Sequence, residues 1–278
     1  MSISPGAILR QLVVSDIPAA AGLSEQAGWN QTGDDWRLLI DLAPEGCLAI
    51  EVDGELAATT TLLCYGQRLA WIGMVLTKMS YRGRGLARRL LTQALIKADQ
   101  MRIETVKLDS TDQGRPLYKK MGFRREQAVE RWSRPGSSHT LSAAAPVEET
   151  HVKDWRVADH RAFGADRSEL LERLARRSQP PLCIEGSYVL TRPGLRTRYL
   201  GPSVCKTSGT ARILTERALG SAVSDSWSWD LLPKNRNAVA IAKDLAFTPE
   251  RHLQRMVRGR DLQAREDTIY AIAGFELG

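Results

Sequence analysis

An internal repeat constrains this chain of 278 residues more than any other feature. The tripeptide at 71–73 (Trp-Ile-Gly) resembles the one at 199–201 (Tyr-Leu-Gly), and the segment 117–123 resembles 241–247, both ending on Phe after a small residue. The two anchors lie 50 positions apart in the first copy and 46 in the second, counted from Gly to Phe. A duplication explains this match, with chance similarity of two mixed domains as the alternative. Two domains also agree with the chain length.

The stretch from Arg134 to Thr150 separates the copies, because it is rich in Pro, Gly, Ser and Ala and lacks periodicity. We therefore predict a first domain at 1–135, a linker at 136–150 and a second domain at 151–278. The predicted fold class is α/β, with a mixed, mainly antiparallel sheet flanked by helices in each domain. In the first domain an antiparallel meander precedes a strand–helix–strand unit that should be parallel and right-handed.

Hydrophobic periodicity predicts the elements of both copies. Asp53-Gly54 is the dipeptide typical of a hairpin turn. In the first half we predict strands at 8–13, 47–52, 56–65, 70–77, 105–109 and 124–133, and helices at 17–27, 34–41, 86–101 and 114–121. In the second half we predict strands at 183–185, 188–192, 198–204, 226–232 and 247–257, and helices at 153–161, 167–178, 209–219 and 235–245.

Composition excludes several classes of protein. No run approaches 18 apolar residues and the start lacks the features of a secretory signal, which favours a cytoplasmic protein without membrane spans. The net charge of +7 is divided between the halves, with 18 basic against 15 acidic residues in 1–140 and 21 against 17 in 141–278. Such a diffuse excess fits an anionic small molecule better than nucleic acid. The four cysteines are far apart, so we predict no metal and no disulfides, only buried thiols.

A basic glycine loop lies between the strand at 70–77 and the helix at 86–101. Gly83 and Gly85 permit backbone angles that other residues resist. The amide groups at the start of the helix have no partner within it, and the helix dipole adds positive charge. Arg82, Arg84 and Arg88 surround the turn. A strand, a glycine turn and a helix in this order are suited to binding a pyrophosphate, although an ordinary turn with a solvated basic face has the same composition.

These residues resemble the GNAT superfamily of N-acetyltransferases, whose signature (Gln/Arg)-x-x-Gly-x-(Gly/Ala) is met by Arg82, Gly85 and Ala87. A second element of the family, the segment 111–123, follows at the expected distance. The resemblance covers residues 8–134 well and the second half in outline, where the chain is similar to the second domain of bacterial tandem GNAT proteins. The fold it implies is two tandem GNAT-like domains.

The resemblance implies an acetyl-CoA site in the first domain. In the family the strand before the loop bonds the pantetheine arm through its main chain, and the loop binds the pyrophosphate. The cofactor-binding residues it implies are Val75, Leu76, Thr77, Arg82, Gly83, Arg84, Gly85, Leu86, Ala87, Arg88, Thr111, Gly114 and Tyr118. Thr111 stands where relatives often have asparagine, which leaves its contact open, although a hydroxyl still donates one hydrogen bond.

The resemblance also implies direct attack by an amine on the thioester. Tyr118 occupies the place of a general acid that would protonate the departing thiolate, the alternative being that it packs under the cofactor. Asp109 is the candidate for the base. Trp29, Asn30, Gln31 and Trp36 would line the acceptor pocket, with packing of the two tryptophans in the core as the alternative. Asp34, Asp35 and Glu25 are better explained as helix caps or surface charges.

The second copy lacks the glycine loop and the tyrosine of the first. Its loop at 204–211 is shorter, has no Gly-x-Gly, and Ala242 replaces the tyrosine. We therefore predict a degenerate second domain that contributes packing, part of the acceptor cleft or a surface for a homodimer. The leading hypothesis is an N-acetyltransferase acting on a small-molecule amine or an exposed amino group. The alternative is a non-catalytic acyl-CoA sensor, which would not need Tyr118.

Overall fold

A computed structural model describes residues 6–137, 154–177, 180–262 and 264–278 and divides the chain into two compact units. The first unit comprises 1–108, 114–124 and 257–261, and the second comprises 109–113, 125–256 and 262–278. Most of the predicted linker, from 138 onward, lies outside the described residues, so its bounds stay a prediction. Of the helices in the described ranges, none is long and apolar enough to span a bilayer.

The first unit is an α/β layer built on an antiparallel meander. Strands β1 to β4 pair in sequence order, each antiparallel to the next, and β5 joins β4 in parallel. Its elements are β1 (Ala7–Gln11), α1 (Ile17–Gln26), α2 (Gly33–Leu42), β2 (Cys47–Val52), β3 (Glu55–Tyr65), β4 (Leu69–Thr77), α3 (Leu86–Gln100), β5 (Thr105–Ser110) and α4 (Arg115–Lys120). The strand–helix–strand unit predicted after the meander is confirmed.

Local sequence explains most of these bounds. Asp53 and Gly54 both have positive φ, 51° and 80°, as the tight hairpin turn between β2 and β3 requires. Thr32 caps α2 by accepting a hydrogen bond from the Asp35 amide, and the Asp35 carboxylate accepts one from the Thr32 amide at 2.8 Å. The apolar face predicted for α3, from Leu86 to Ala98, is buried at every third or fourth position. Asp35 is thus a helix cap, as predicted.

The second unit repeats the plan. Its strands are ordered β11-β6-β10-β9-β8-β7, and β12 pairs with β9 outside this order. Its elements are β6 (Arg124–Arg134), α5 (Asp154–Phe163), α6 (Ser168–Arg176), β7 (Leu182–Ile184), β8 (Ser187–Arg192), β9 (Arg198–Val204), α7 (Ser208–Gly220), β10 (Trp227–Leu231), α8 (Arg236–Asp244), β11 (Thr248–Gly259) and β12 (Ile269–Ala271). A core around Trp132, Trp227 and Trp229 packs against α7 and α8. The sequence did not predict β12.

The closing strand of each half of the sequence belongs, in whole or in part, to the other unit. From Arg125 onward β6 belongs to the second unit, where it pairs antiparallel with β10. The segment Val257–Asp261 at the end of β11 belongs to the first unit, where the Thr105 hydroxyl donates to the Arg260 carbonyl at 2.8 Å. The two halves have therefore exchanged their closing strands, which the sequence analysis did not predict.

Candidate functional site

The loop between β4 and α3 leaves the first turn of α3 open. Gly83 and Gly85 both have φ of 78°, and a side chain added at either would meet no atom within 4 Å. The first backbone bond of the helix runs from the Arg89 amide to the Gly85 carbonyl at 3.1 Å. The amides of Leu86 to Arg88 precede it and lack intrahelical acceptors. Because the N-cap residue is glycine, it has no side chain to accept from them. The geometry is that of an anion site at a helix N-terminus.

Arginine side chains hold the loop and supply its charge. Arg82 is exposed and its Nε donates to the Thr77 carbonyl at 3.2 Å, which ties the loop to the end of β4. The Arg84 guanidinium donates to the Ser80 carbonyl and lies 5.0 Å from the centre of the Tyr81 ring. Arg88 is exposed on the first turn of the helix. Three basic side chains thus lie on the loop and on the first turn of α3.

One edge of β4 is only partly paired. β3 follows the strand along one edge as far as Thr77, whereas the parallel ladder with β5 covers only Leu69–Trp71. Beyond Trp71 the two strands of the first unit share no further ladder among the described residues. Val75 and Thr77 lie on this edge of β4, whereas Leu76 is opposite Thr59 in the ladder with β3. Apart from the Thr77 carbonyl, which accepts from Arg82, the edge is suited to an extended ligand with amide groups.

A bulge marks the same part of β4. The register with β3 shifts between Thr59 and Thr61, and Met74 within it has φ of 49°. This left-handed conformation costs a non-glycine residue about 1–2 kcal/mol and needs support from its surroundings. The Thr59 hydroxyl donates to the Met74 carbonyl at 2.8 Å, in a fully buried position. The bulge reorients the backbone of the strand just before Leu76.

Tyr118 is held rigidly on the short helix α4. Its amide donates to the Gly114 carbonyl at 3.2 Å, and its carbonyl accepts from the Phe123 amide. The ring packs edge-on against Phe123 with the centroids 6.1 Å apart, and 8% of the residue is exposed. Burial raises the pKa of the Tyr118 phenol well above its usual value. The hydroxyl is therefore protonated at neutral pH, as a proton donor must be.

The residues predicted to line the acceptor pocket divide into two groups. Trp29 is half-buried, whereas Asn30 and Gln31 are buried in the connection between α1 and α2. Trp36 is fully buried, and its indole N–H donates to the Ser24 hydroxyl at 3.1 Å. Trp36 therefore belongs to the core beneath the connection, which favours the alternative of packing for this residue.

Asp109 and Thr111 belong to the second unit, whereas the loop residues belong to the first. The Asp109 carboxylate accepts two hydrogen bonds from the Arg255 guanidinium, at 2.9 and 3.0 Å. Their side chains are 0% and 3% exposed. A carboxylate with both oxygens engaged by a buried arginine is a structural ion pair rather than an accessible base. Sequence reasoning could not identify Arg255 as the partner, since 146 positions separate the two residues.

The corresponding helix start in the second unit is closed. Thr207 caps α7, and its hydroxyl accepts from the Thr210 amide at 3.1 Å. Cys205 before it is buried, and burial raises the pKa of its thiol to about 12. The side chain of Thr207 thus occupies one amide of the first turn, whereas Gly85 at the start of α3 has no side chain to do so, and the Cys205 thiol is protonated at neutral pH. Within the described ranges, moreover, no group of three His, Cys, Asp or Glu side chains is arranged to hold a metal ion.

Comparisons with known proteins agree with this geometry. Residues 19–123 match a model described as the acetyltransferase (GNAT) family, and residues 156–271 match one described as an acetyltransferase (GNAT) domain. The Bacillus subtilis protein YitH, described as an uncharacterized N-acetyltransferase, is 29% identical over 212 residues, which cover 71% of this chain and 73% of YitH.

Two crystal structures show the same fold over nearly the whole chain. A candidate acetyltransferase from Pyrococcus horikoshii superimposes with a TM-score of 0.86 at 22% identity, over 100% of this chain and 98% of that one. A GCN5-related N-acetyltransferase from Sphaerobacter thermophilus gives a TM-score of 0.68 at 17% identity, over 95% and 100%. At these identities the likeness concerns the fold.

Proposed function

Because the chain belongs to the GNAT acetyltransferase superfamily and carries two such domains in tandem, we propose that its first domain is an acetyl-CoA-dependent N-acetyltransferase. The observation that carries the proposal is the start of α3. Gly85 leaves the amides of Leu86, Ala87 and Arg88 open beside three basic side chains, next to a strand edge that β5 leaves unpaired. This combination fits a ligand with a pyrophosphate at one end and an amide arm at the other.

The binding half of the mechanism uses backbone groups. The amides of 83–88 would hold the pyrophosphate, with Arg82, Arg84 and Arg88 neutralising its charge. Val75 and Thr77 would bond the pantetheine arm along the open edge of β4. The bulge at Met74 reorients the backbone before Leu76, and the outward-facing amide of Val75 beside it would polarise the thioester carbonyl as charge develops there. Contacts of Thr111 and Gly114 with the ligand remain predictions.

The chemical half requires two proton transfers. The acceptor amine attacks the thioester carbon as a neutral nucleophile, the C–S bond breaks as the new C–N bond forms, and the nitrogen releases its extra proton to water. Tyr118 would donate its proton to the departing thiolate, for which a buried, neutral phenol on a rigid helix is suited. We assign Asp109 to structure, because Arg255 occupies both of its oxygens. Trp29, Asn30 and Gln31 remain the proposed acceptor side, for a small-molecule amine or an exposed amino group.

A thiol-release assay tests this function. Purified full-length protein is incubated with acetyl-CoA and a panel of amines, amino sugars and peptides, and free CoA is titrated with a thiol reagent. We expect at least one acceptor to accelerate release. If CoA binds and no acceptor accelerates its release, the catalytic proposal is wrong and an acyl-CoA sensor is the better description.

Tyr118→Phe provides the matched control for the proton donor. It removes one hydroxyl while keeping the ring against Phe123, so we expect little change in the melting temperature or in CoA affinity. Turnover should fall about 10²- to 10⁴-fold, the usual contribution of a general acid. Parallel loss of CoA affinity and turnover would instead show that Tyr118 only packs against the ligand.

A further inference from the structure

A short segment of the second unit, residues 267–272, lies in a groove between two strands. Its strand β12 pairs antiparallel with the end of β9, Ile269 opposite Val204 and Ala271 opposite Ser203. The Cys205 amide donates to the Thr268 carbonyl at 3.0 Å, and the Ile272 amide donates to the Asp230 carbonyl on β10 at 2.9 Å. The segment therefore bonds to β9 with one end and to β10 with the other.

This groove corresponds to the proposed pantetheine site of the first unit. β8 covers one edge of β9, and β10 pairs in parallel with the other edge only over Arg198–Leu200. A register shift follows, as in β4, and the strand then runs on through Ser203 and Val204. These residues are the counterparts of the end of β4, where the parallel neighbour also stops early. In the first unit this edge is open, whereas in the second unit β12 covers it.

Side chains of the groove also bind the segment. The Asn235 amide group donates to the carbonyls of Asp267 and Ile269, at 3.1 and 2.9 Å. The Trp229 indole N–H donates to the Tyr270 carbonyl at 2.7 Å. All five residues from 269 to 273 are buried, with at most 4% of any of them exposed. The Asn235 side chain thus binds the backbone of the segment.

We propose that this groove is a peptide-binding site whose resident ligand is the chain's own segment 267–272. The pantetheine arm is a chain of amides, and an extended peptide offers the same donors and acceptors to a strand edge. The segment is covalently attached and buries several apolar side chains, so a free acyl-CoA molecule competes poorly for the site. The second unit therefore takes up no acyl-CoA. One acyl-CoA per chain follows if the first domain functions as proposed.

Hydrogen–deuterium exchange on the full chain, with and without saturating acetyl-CoA, tests the proposal. We expect the amides of Cys205 and Ile272 to exchange slowly in both conditions. Fast exchange of these amides without ligand, faster exchange of 267–272 on adding acetyl-CoA, or a calorimetric stoichiometry of two would overturn it. Slower exchange of 83–88 reports separately on the first domain. If only that change is missing, the proposed function fails and the peptide site stands.

Asn235→Asp is the selective variant. Its carboxylate still accepts from the Ala238 amide at the start of α8, but it loses both hydrogen bonds donated to the segment. Two such bonds correspond to exchange that is about 10- to 100-fold faster over 267–272. Thr207→Asp is the control, because it places the same charge at the neighbouring helix cap. Equal exchange in the two variants would overturn the proposal. If Asn235→Asp does not fold, the wild-type measurement still decides.

Discussion

The ion pair between Asp109 and Arg255 allows one prediction to be worked out in detail. Both side chains are almost without solvent contact, and two hydrogen bonds of 2.9 and 3.0 Å join them. Asp109→Leu removes one partner and leaves the guanidinium buried without its counter-charge. Breaking a buried pair in this way costs about 3–5 kcal/mol. With about 2–4 °C of melting temperature per kcal/mol, the variant should melt roughly 6–20 °C below the wild type.

The double variant Asp109→Leu, Arg255→Met separates structure from chemistry. Removing both charges leaves no buried ion, so most of the lost stability should return. Thermal unfolding by circular dichroism measures the stability of all four proteins of the cycle. The thiol-release assay then gives turnover per folded molecule. Asp230→Leu is the control, because Asp230 forms an equally buried pair with Arg131 at 2.7 Å and has no proposed role in catalysis.

Two outcomes would refute this reasoning. If Asp109→Leu has the same melting temperature as the wild type, the ion pair contributes no stability. If the double variant regains its stability but loses turnover by 100-fold or more, Asp109 takes part in proton transfer after all. We expect neither, and the folded double variant should retain acetyltransferase activity.

Three further predictions concern the loop, a buried thiol and a buried tryptophan. Gly85→Asp should weaken CoA binding, measured by calorimetry, about 10- to 100-fold, because its carboxylate repels the pyrophosphate. The neutral variant Gly85→Asn should weaken binding clearly less. Equal losses in the two variants would show that the backbone conformation, not the charge, is responsible. Burial raises the pKa of the Cys205 thiol to about 12, so the thiol stays protonated at pH 8. It should therefore react with a thiol reagent only after unfolding. Rapid labelling of the folded protein would contradict this. Trp36→Phe should lower the free energy of unfolding by about 1 kcal/mol, because the hydrogen bond to Ser24 is lost. The preference among acceptors in the panel should not change. A changed preference would show that Trp36 lines the acceptor site.

Local signals in the sequence were sufficient to predict most of the helices and strands. The periodicity of α3 and the Asp53-Gly54 turn depend on neighbouring residues, so their bounds could be predicted within one or two positions. The open amides at Gly85 are likewise a local property of a glycine before a helix. For the same reason the sequence was enough to propose the loop as an anion site.

What the sequence did not show depends on distant partners. β12 is only three residues long, and it is a strand because the end of β9 offers it an edge. Whether Asp109 faces an acceptor or an arginine depends on a strand more than a hundred positions away. The exchange of β6 and β11 could not be predicted from the sequence for a similar reason. Two closing strands with the same pattern of alternation fit either sheet equally well.

That exchange has a consequence for how such a chain is made and inherited. The first unit is incomplete until Val257–Asp261 has been synthesised, as the bond between Thr105 and Arg260 spans 155 positions. The first unit therefore cannot complete its fold during synthesis until the chain has been extended past Asp261. Deleting the second half of the sequence would remove Val257–Asp261 from the first unit. Selection on the first unit alone would thus preserve the end of the second half.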